Sequence, residues 1–349
     1  MPPSSEGSSW SGRLARGLAW LRPSGGRLDP DAYRRVTAVA LWLIAFIVVT
    51  GAAVRLTGSG LGCSDWPNCE RGRFVAPLRV KPMVEFVNRV ITGYVSVAVA
   101  VAVLGARRRV PLRRDLTWLS WGLVAGVAAQ IALGAVVVVF ELNPVLVQGH
   151  FVLSMALVAN AVVLHHRAGL PDGEDGAAVA TRPRVPLGSR RLAWVAVGLA
   201  AVVILTGTAV TGSGPHAGDE RAKRLPFSIH RAAQVHGVAM LVFLAAVLAF
   251  AWRMRRHGAP EPVVRATSTL LFVLVAQAAV GYTQYFTGIP ALLVGIHVAG
   301  ATAVWVAALR FALSLRAPAP GPSPTRPDLG HDDHRTGRGA AGRDLVAHR

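Results

Sequence analysis

Residues 116–166 read LTWLSWGLVAGVAAQIALGAVVVVFELNPVLVQGHFVLSMALVANAVVLHH, and the only charged residue among them is Glu141. That glutamate lies beside Asn143-Pro144, the one place where the apolar pattern breaks. Each side of the break is long enough to cross a bilayer, which takes about 20 mostly apolar residues. A link of a few residues between two such runs makes them an antiparallel hairpin. Backbone inside hydrocarbon must satisfy its own hydrogen bonds, so the runs are helices. This stretch makes the chain an α-helical integral membrane protein.

Working outward, eight apolar runs can be read: about 36–54, 84–106, 116–140, 146–166, 191–210, 230–252, 266–287 and 290–315. The last two are separated only by the residues around Ile289-Pro290 and form a second tight hairpin. The whole chain of 349 residues is 52% hydrophobic and 16% charged, against roughly 25% charged for a soluble domain. It has too little charge to cover soluble surfaces. Two cysteines exclude a cysteine-rich scaffold and a four-cysteine zinc site.

The net charge of +19 comes almost wholly from arginine, the lysines being Lys81 and Lys223 alone. Basic residues cluster in the N-terminal segment, between runs two and three, four and five, and six and seven, and at the end of run eight with the tail. Together these hold 27 of the 37. By the positive-inside rule both termini are cytoplasmic. The charge is a topology signal rather than a sign of nucleic acid. The N-terminal 35 residues lack a short apolar core followed by a cleavage site, so the first run reads as a retained anchor in the cell membrane.

The two halves resemble each other. Val54-Arg55-Leu56-Thr57-Gly58-Ser59-Gly60 echoes Ala209-Val210-Thr211-Gly212-Ser213-Gly214, and Asn88-Arg89 echoes His230-Arg231. A constant offset of 147 relates Gln130 to Gln277, Gly134 to Gly281 and His150 to His297. Four spans per copy is an even number, so both copies enter the membrane in the same direction, as a parallel repeat. The expected architecture is all-α, with eight transmembrane helices in two four-helix bundles, each able to hold a cofactor between facing helices. The expected divisions are a cytoplasmic N-terminal segment 1–35, a first bundle 36–167, a cytoplasmic linker 168–190, a second bundle 191–315 and a disordered cytoplasmic tail 316–349.

His150, His230 and His297 fall near the outer ends of runs four, six and eight. A lone intramembrane histidine is ordinarily a helix–helix hydrogen-bonding group. Three at repeat-related positions and one depth suit haem iron, which takes neutral imidazole. His216 and His236 have no counterparts in the first half and read as structural or loop residues; His165 and His166 lie at the far, cytoplasmic end. Glu85 shares a helix face with Asn88 and Arg89. It reads either as an exposed glutamate favoured by the helix dipole or as a carboxylate at the mouth of a cofactor pocket, and the repeat favours the second. Cys63 and Cys69 flank Ser64-Asp65-Trp66-Pro67-Asn68 in the first outer loop, where an oxidising compartment favours a disulfide. That pair is a structural staple or a redox-active couple; its spacing is not that of covalent haem attachment. The Thr-Gly-Ser-Gly stretches are ordinary helix-ending turns.

Taken together, residues 36–315 resemble the haem A synthase family, membrane enzymes that convert haem O to haem A for terminal oxidases. The resemblance rests on the segment Val54 to Gly60, the loop Cys63 to Cys69, the Glu85-x-x-x-Arg89 helix start, Gln148-Gly149-His150, His230-Arg231 and His297. It implies a haem b held in the second half by His230 and His297, and a first-half pocket for the substrate haem with Glu85 as catalytic carboxylate. The family's typical Glu-x-x-His-Arg has Asn88 in place of its histidine, leaving His150 as that pocket's strong iron ligand. The implied reaction oxidises a haem methyl to a formyl group by successive hydroxylations. The hard redox chemistry there belongs to iron and porphyrin, and the protein contributes orientation, electrostatics and access. Arg55, Arg89 and Arg231 are candidates for pairing with haem propionates.

Two rival classes share these residues. A quinol-linked dihaem b-type electron-transfer protein predicts two bis-histidine sites, which Asn88 opposes. A haem transporter needs an alternating path and no catalytic glutamate. An electron acceptor of unknown identity, membrane lipid, haem O synthase or oxidase assembly factors, and a second copy of the chain are the partners this reading brings into view.

Overall fold

The computed structural model describes residues 26–63, 68–70, 72–173 and 176–319. Eight long helices run through them: α1 (Pro30–Leu56), α2 (Val80–Arg108), α3 (Arg114–Val139), α4 (Pro144–Ala168), α5 (Leu187–Ser213), α6 (Ile229–His257), α7 (Glu261–Phe286) and α8 (Ala291–Ser314). All eight are long and apolar enough to cross a membrane. The protein is an all-α, eight-span membrane protein.

Most helices extend beyond the apolar runs, by up to six residues at the N-terminal end of α1, whereas α8 lies within its run. At 1.5 Å per residue, the 27 residues of α1 reach about 40 Å, the bilayer including its headgroup layers. Local chemistry sets the ends. The Asp29 carboxylate accepts from Ala32 N at 2.8 Å, with Pro30 in the first turn. Asn143 caps α4 by accepting from Val145 N, again with proline following, and Ser228 caps α6. The tight links hold non-glycine residues at positive φ: Glu141 at 49° and Leu142 at 58° before α4, and Ile289 at 61° before α8. A β-branched residue there is strained. It is held from outside, because His216 Nε2–H donates to the Ile289 carbonyl at 2.9 Å.

Helix α1 packs on α2 and α4, and α3 on both; α5 packs on α6 and α8, and α7 on α8. Helix α8 also packs on α1 and α4, and α5 on α4, which joins the two sets along one seam. Two apolar clusters follow. Tyr33, Ile44, Leu116, Leu123, Leu157 and Leu164 belong to one; Phe243, Phe250, Leu270, Leu274 and Phe311 belong to the other. Trp305 packs against both, and its indole N–H donates to the Met155 carbonyl at 2.9 Å across the seam. Lipid tails are as apolar as leucine, so close van der Waals contact and interhelical hydrogen bonds hold such helices together. A Cβ on Gly126 would fall 2.5 Å from Leu157 Cδ1, and Tyr33 Oη meets Ser120 Oγ at 2.9 Å.

At the arginine-rich end, Arg109 and Arg113 are buried, at 1% and 0% exposure. Arg109 pairs with Asp172 at 2.7 Å, and Arg113 pairs with Asp115 at 2.9 Å and Asp172 at 3.3 Å. Burial pushes the Arg113 pKa down, but the two carboxylates outweigh it and hold it above the ordinary value. These pairs pin the α2–α3 connection to the segment after α4.

The boundaries expected from the sequence shift in three places. Pro30–Arg35 are helical, part of α1 rather than an N-terminal segment. The expected linker 168–190 contains β1 (Thr181–Pro183) and the start of α5. The first residues of the expected tail form β2 (Arg316–Pro318), antiparallel to β1 with Arg182 opposite Ala317. Backbone bonds from Arg184 N to Leu315 O and from Ala319 N to Ala180 O extend that pairing. Residues 320–349 lie outside the described residues.

Candidate functional site

Even-numbered helices carry the site, each within its first two or three turns. Glu85 and Asn88 are on α2, which begins at Val80; His150 is on α4, which begins at Pro144; His236 is on α6, which begins at Ile229; and His297 is on α8, which begins at Ala291. Each lies six to nine residues in, roughly 10 Å along the helix axis. All of them line one cavity of about 1500 Å³. A single drug-sized ligand occupies about 300–1,000 Å³, so there is room for more than one.

The ring facing His297 is His236, with centroids 6.3 Å apart and planes at 73°. The sequence reading had set His236 aside and paired His297 with His230. His230 lies one and a half turns shallower, exposed, where Nδ1 meets Tyr285 Oη at 2.6 Å and Nε2 meets Gln234 at 2.9 Å. A register argument explains the difference. Helix α2 starts eight residues before Asn88, so the position of equal depth in α6 is near residue 237. The dipeptide likeness of Asn88-Arg89 to His230-Arg231 ignored helix depth.

The His236 tautomer follows from its neighbour. The Thr206 hydroxyl has one hydrogen and spends it on the carbonyl of Val202 or Val203, both at 3.0 Å. Thr206 Oγ1 also lies 3.1 Å from His236 Nδ1. With the hydroxyl hydrogen on either carbonyl, Nδ1–H would donate to Thr206 and Nε2 would keep its lone pair, the arrangement in which an outer hydrogen bond orients an imidazole for metal ligation. Each ring also sits over a glycine. A Cβ at Gly207 would fall 3.0 Å from His236 Cε1, at Gly281 2.9 Å from His297 Cε1, and at Gly134 3.4 Å from His150 Cε1. His150 and His297 each have a buried Nδ1 without a protein partner, so the polar edge of the ring is not used to hold the fold. Gln130 Nε2 donates to the His150 carbonyl at 3.2 Å, and Gln277 Nε2 to the His297 carbonyl at 2.8 Å, tying the paired helices at matching positions.

In the first half the α2 residues do different work. Thr50 Oγ1 donates to Asn88 Oδ1 at 2.8 Å, so the other end of that amide is an NH2 donor rather than a lone pair. Glu85, 6% exposed, accepts the Cys63 backbone N–H at 2.8 Å and pairs with Arg89. Arg89 also donates to the Asn68 carbonyl at 2.9 Å. Cys63 and Cys69 are joined in a disulfide, with Cα atoms 4.4 Å apart, which closes the loop that leans on Glu85. Residues 64–67 of that loop lie outside the described residues.

The three arginines divide. Arg89 is on the cavity wall. Arg55 is there too, but its guanidinium donates to the carbonyls of His216 and Thr211, both at 2.7 Å, and so ties α1 to the α5–α6 connection. Arg231 is exposed in the first turn of α6, away from the cavity wall. His165 meets Thr37 Oγ1 at 3.1 Å at the opposite end of the helices, as expected from its position.

Among the described residues no group of three or more His, Cys, Asp or Glu side chains could hold a metal ion. Two opposed imidazoles are what a metal already held by a macrocycle requires, and the residues present fit that demand.

A family model described as cytochrome oxidase assembly protein matches residues 34–81 and 72–218. Haem A synthase from Bacillus pumilus is 32% identical over 135 residues, covering 38% of this chain and 44% of that protein. The haem A synthase of Alkalihalophilus pseudofirmus is 26% identical over 254 residues, 70% of this chain and 82% of the relative. That of Staphylococcus haemolyticus is 24% identical over 279 residues, 75% and 88%. The chain thus spans less than half of the first of these relatives and more than four fifths of the other two. The matched family segments take in more than half of the chain, so it belongs to the cytochrome oxidase assembly protein family.

Proposed function

We propose that this protein is a haem A synthase, an oxidoreductase that converts a methyl group of haem O to the formyl group of haem A. The observation that carries the reading is one cavity holding an opposed imidazole pair, His236 with His297, and a separate single imidazole, His150, with Glu85 on the same wall. The relatives named above support it.

In this reading the repeat makes two bundles with different tasks, supported by the Gln130–His150 and Gln277–His297 contacts at a constant offset. His236 and His297 hold a haem b in the second bundle, replacing the His230–His297 pair expected from the sequence. That haem supplies one-electron redox chemistry when bound. Thr206 keeps the His236 Nε2 lone pair available, and the glycine seats let both rings approach closely.

The first bundle receives haem O, its iron towards His150. Arg89 and the Cys63 N–H hold the Glu85 carboxylate in place on the cavity wall, where it opposes positive charge developing on the substrate or accepts a proton from it. Asn88 offers a hydrogen-bond donor and no strong iron ligand, which is why a dihaem electron-transfer protein with two bis-histidine sites fits less well. Arg89 and, through its remaining donor, Arg55 are the propionate candidates on the wall. The basic ends of α2, α4 and α6 support a reading with both termini cytoplasmic and the haem sites towards the outer side.

The test is expression of the full chain with a haem O supply, followed by chromatography of the extracted haems. Haem A and its hydroxylated precursor are expected. Their absence from an abundant, haem-loaded protein would overturn the assignment.

A further inference from the structure

The arginine-rich end of the first half holds a second concave site, lined by Arg107, Leu112, Arg114, Thr117, Trp118 and Trp121. Its volume is about 680 Å³. We propose that this groove binds the phosphate headgroup of an anionic phospholipid, with Arg107 and Arg114 gripping the phosphate and the two tryptophans bordering the acyl chains. The inference is independent of the haem chemistry and of which leaflet this end faces.

The connection from α2 to α3 carries five arginines, Arg107, Arg108, Arg109, Arg113 and Arg114, and four of them divide into two pairs. Arg109 and Arg113 turn inward and are saturated by Asp172 and Asp115. Arg107 and Arg114 turn outward, and among the described residues neither has a carboxylate or hydrogen-bond partner. Asp115, the acid nearest in sequence, is already committed to Arg113 and Arg167. Among the described residues the nearby acids, Asp115 and Asp172, are engaged by the inner arginines, and the outer pair faces the groove without a carboxylate partner.

The surroundings say what kind of anion fits. Arg114, Thr117, Trp118 and Trp121 follow helical spacing and form one stripe on α3. The polar end of that stripe is the first residue of α3, whose N-terminal dipole adds to the positive field. The other end is apolar and exposed: Trp118 is 76% and Trp121 46% accessible, and Leu112 on the opposite wall is 52% accessible. Tryptophan at this level belongs to the membrane–water boundary. A free inorganic anion would use the arginines and leave both indoles without a role. A phospholipid uses both, and basic grooves between transmembrane helices are recognised lipid-headgroup sites.

The experiment is native mass spectrometry of the full chain, purified in neutral detergent and titrated with phosphatidylglycerol or phosphatidylcholine. Each basic residue near an anionic headgroup contributes about 1 kcal/mol, so the two arginines together predict about a 30-fold preference for phosphatidylglycerol. Arg107→Gln with Arg114→Gln is expected to abolish that preference. Arg108→Gln removes a charge from the same connection outside the groove and is expected to keep it. Unfolding temperature in detergent without added lipid checks that the double variant is folded. Equal binding of the two lipids, an unchanged preference in the double variant, an equal loss in Arg108→Gln, or displacement of the lipid by inorganic phosphate would each overturn the proposal.

Discussion

The two halves place a threonine at the same point and use it to opposite ends. In the second half Thr206, with its hydrogen on the Val202 or Val203 carbonyl, can accept from His236 Nδ1–H and leave Nε2 as a lone pair. In the first half Thr50 donates to Asn88 Oδ1 and leaves an amide NH2. The same helix depth and the same kind of hydroxyl neighbour thus accompany an imidazole on one side and an amide on the other. Only the first half adds a carboxylate, Glu85, braced by a disulfide-closed loop. Under the proposed function, one scaffold used twice would separate holding an electron-carrying cofactor from acting on a substrate.

The largest effect expected from this contrast is loss of a chromophore. His236→Ala and His297→Ala should each remove the low-spin haem b absorption from membrane-inserted protein, while His230→Ala should leave it in place. Optical spectra of the three variants at matched protein amounts make the measurement. Retention of the signal in His236→Ala together with its loss in His230→Ala would restore the pairing read from the sequence.

Next in size is turnover. Glu85→Gln keeps an acceptor for the Cys63 N–H but removes the charge, and should slow haem A formation by about 10²–10⁴-fold, the usual range for a positioned acid–base group. The second-half spectrum should not change. Glu85→Ala additionally leaves the buried Cys63 N–H without its acceptor, at a cost of about 1–3 kcal/mol, so its accumulation should fall below that of the glutamine variant. Full activity in both variants would remove Glu85 from the chemistry.

How much of this was legible beforehand follows from the kind of signal each feature leaves. The eight spans, their hairpins and the basic ends are written in long apolar runs and clustered arginines, because a bilayer penalises every exception. The disulfide was legible from two cysteines in one outer loop. His150 and His297 were found through the constant offset of 147. That offset, applied to Asn88, points to residue 235, one position from His236; the match of His-Arg to Asn-Arg drew attention to His230 instead. Helix starts decide depth, and they were the weak point: α2 begins at Val80, four residues before the apolar run, and its first turn holds Lys81 and Pro82, which an apolar pattern does not reveal. The Thr50 and Thr206 contacts leave no pattern in the sequence, since a threonine in a membrane helix is ordinary until its partner is known. The β1–β2 pair was missed for a related reason: it joins segments 135 residues apart that each read as polar connection.

The finest test of the contrast is to convert one half towards the other. In Asn88→His, Thr50 has the same options as Thr206. Its hydroxyl can turn to the Ile47 carbonyl, already at 3.2 Å, and accept from the new Nδ1–H. Nε2 would then face the cavity opposite His150, as His236 faces His297. With haem O supplied, the first pocket should shift towards a six-coordinate low-spin spectrum, visible as a signal added to that of the second half. Asn88→Asp keeps an acceptor for Thr50 but supplies no imidazole, so it should add nothing. Thr50→Val combined with Asn88→His removes the group that fixes the tautomer and should weaken the new signal, by about tenfold in haem affinity if this contact behaves like other outer-sphere partners of metal-bound histidine. A spectrum unchanged in Asn88→His would mean that Asn88 does not face the substrate iron, and the first half would then differ from the second in geometry as well as in its ligand.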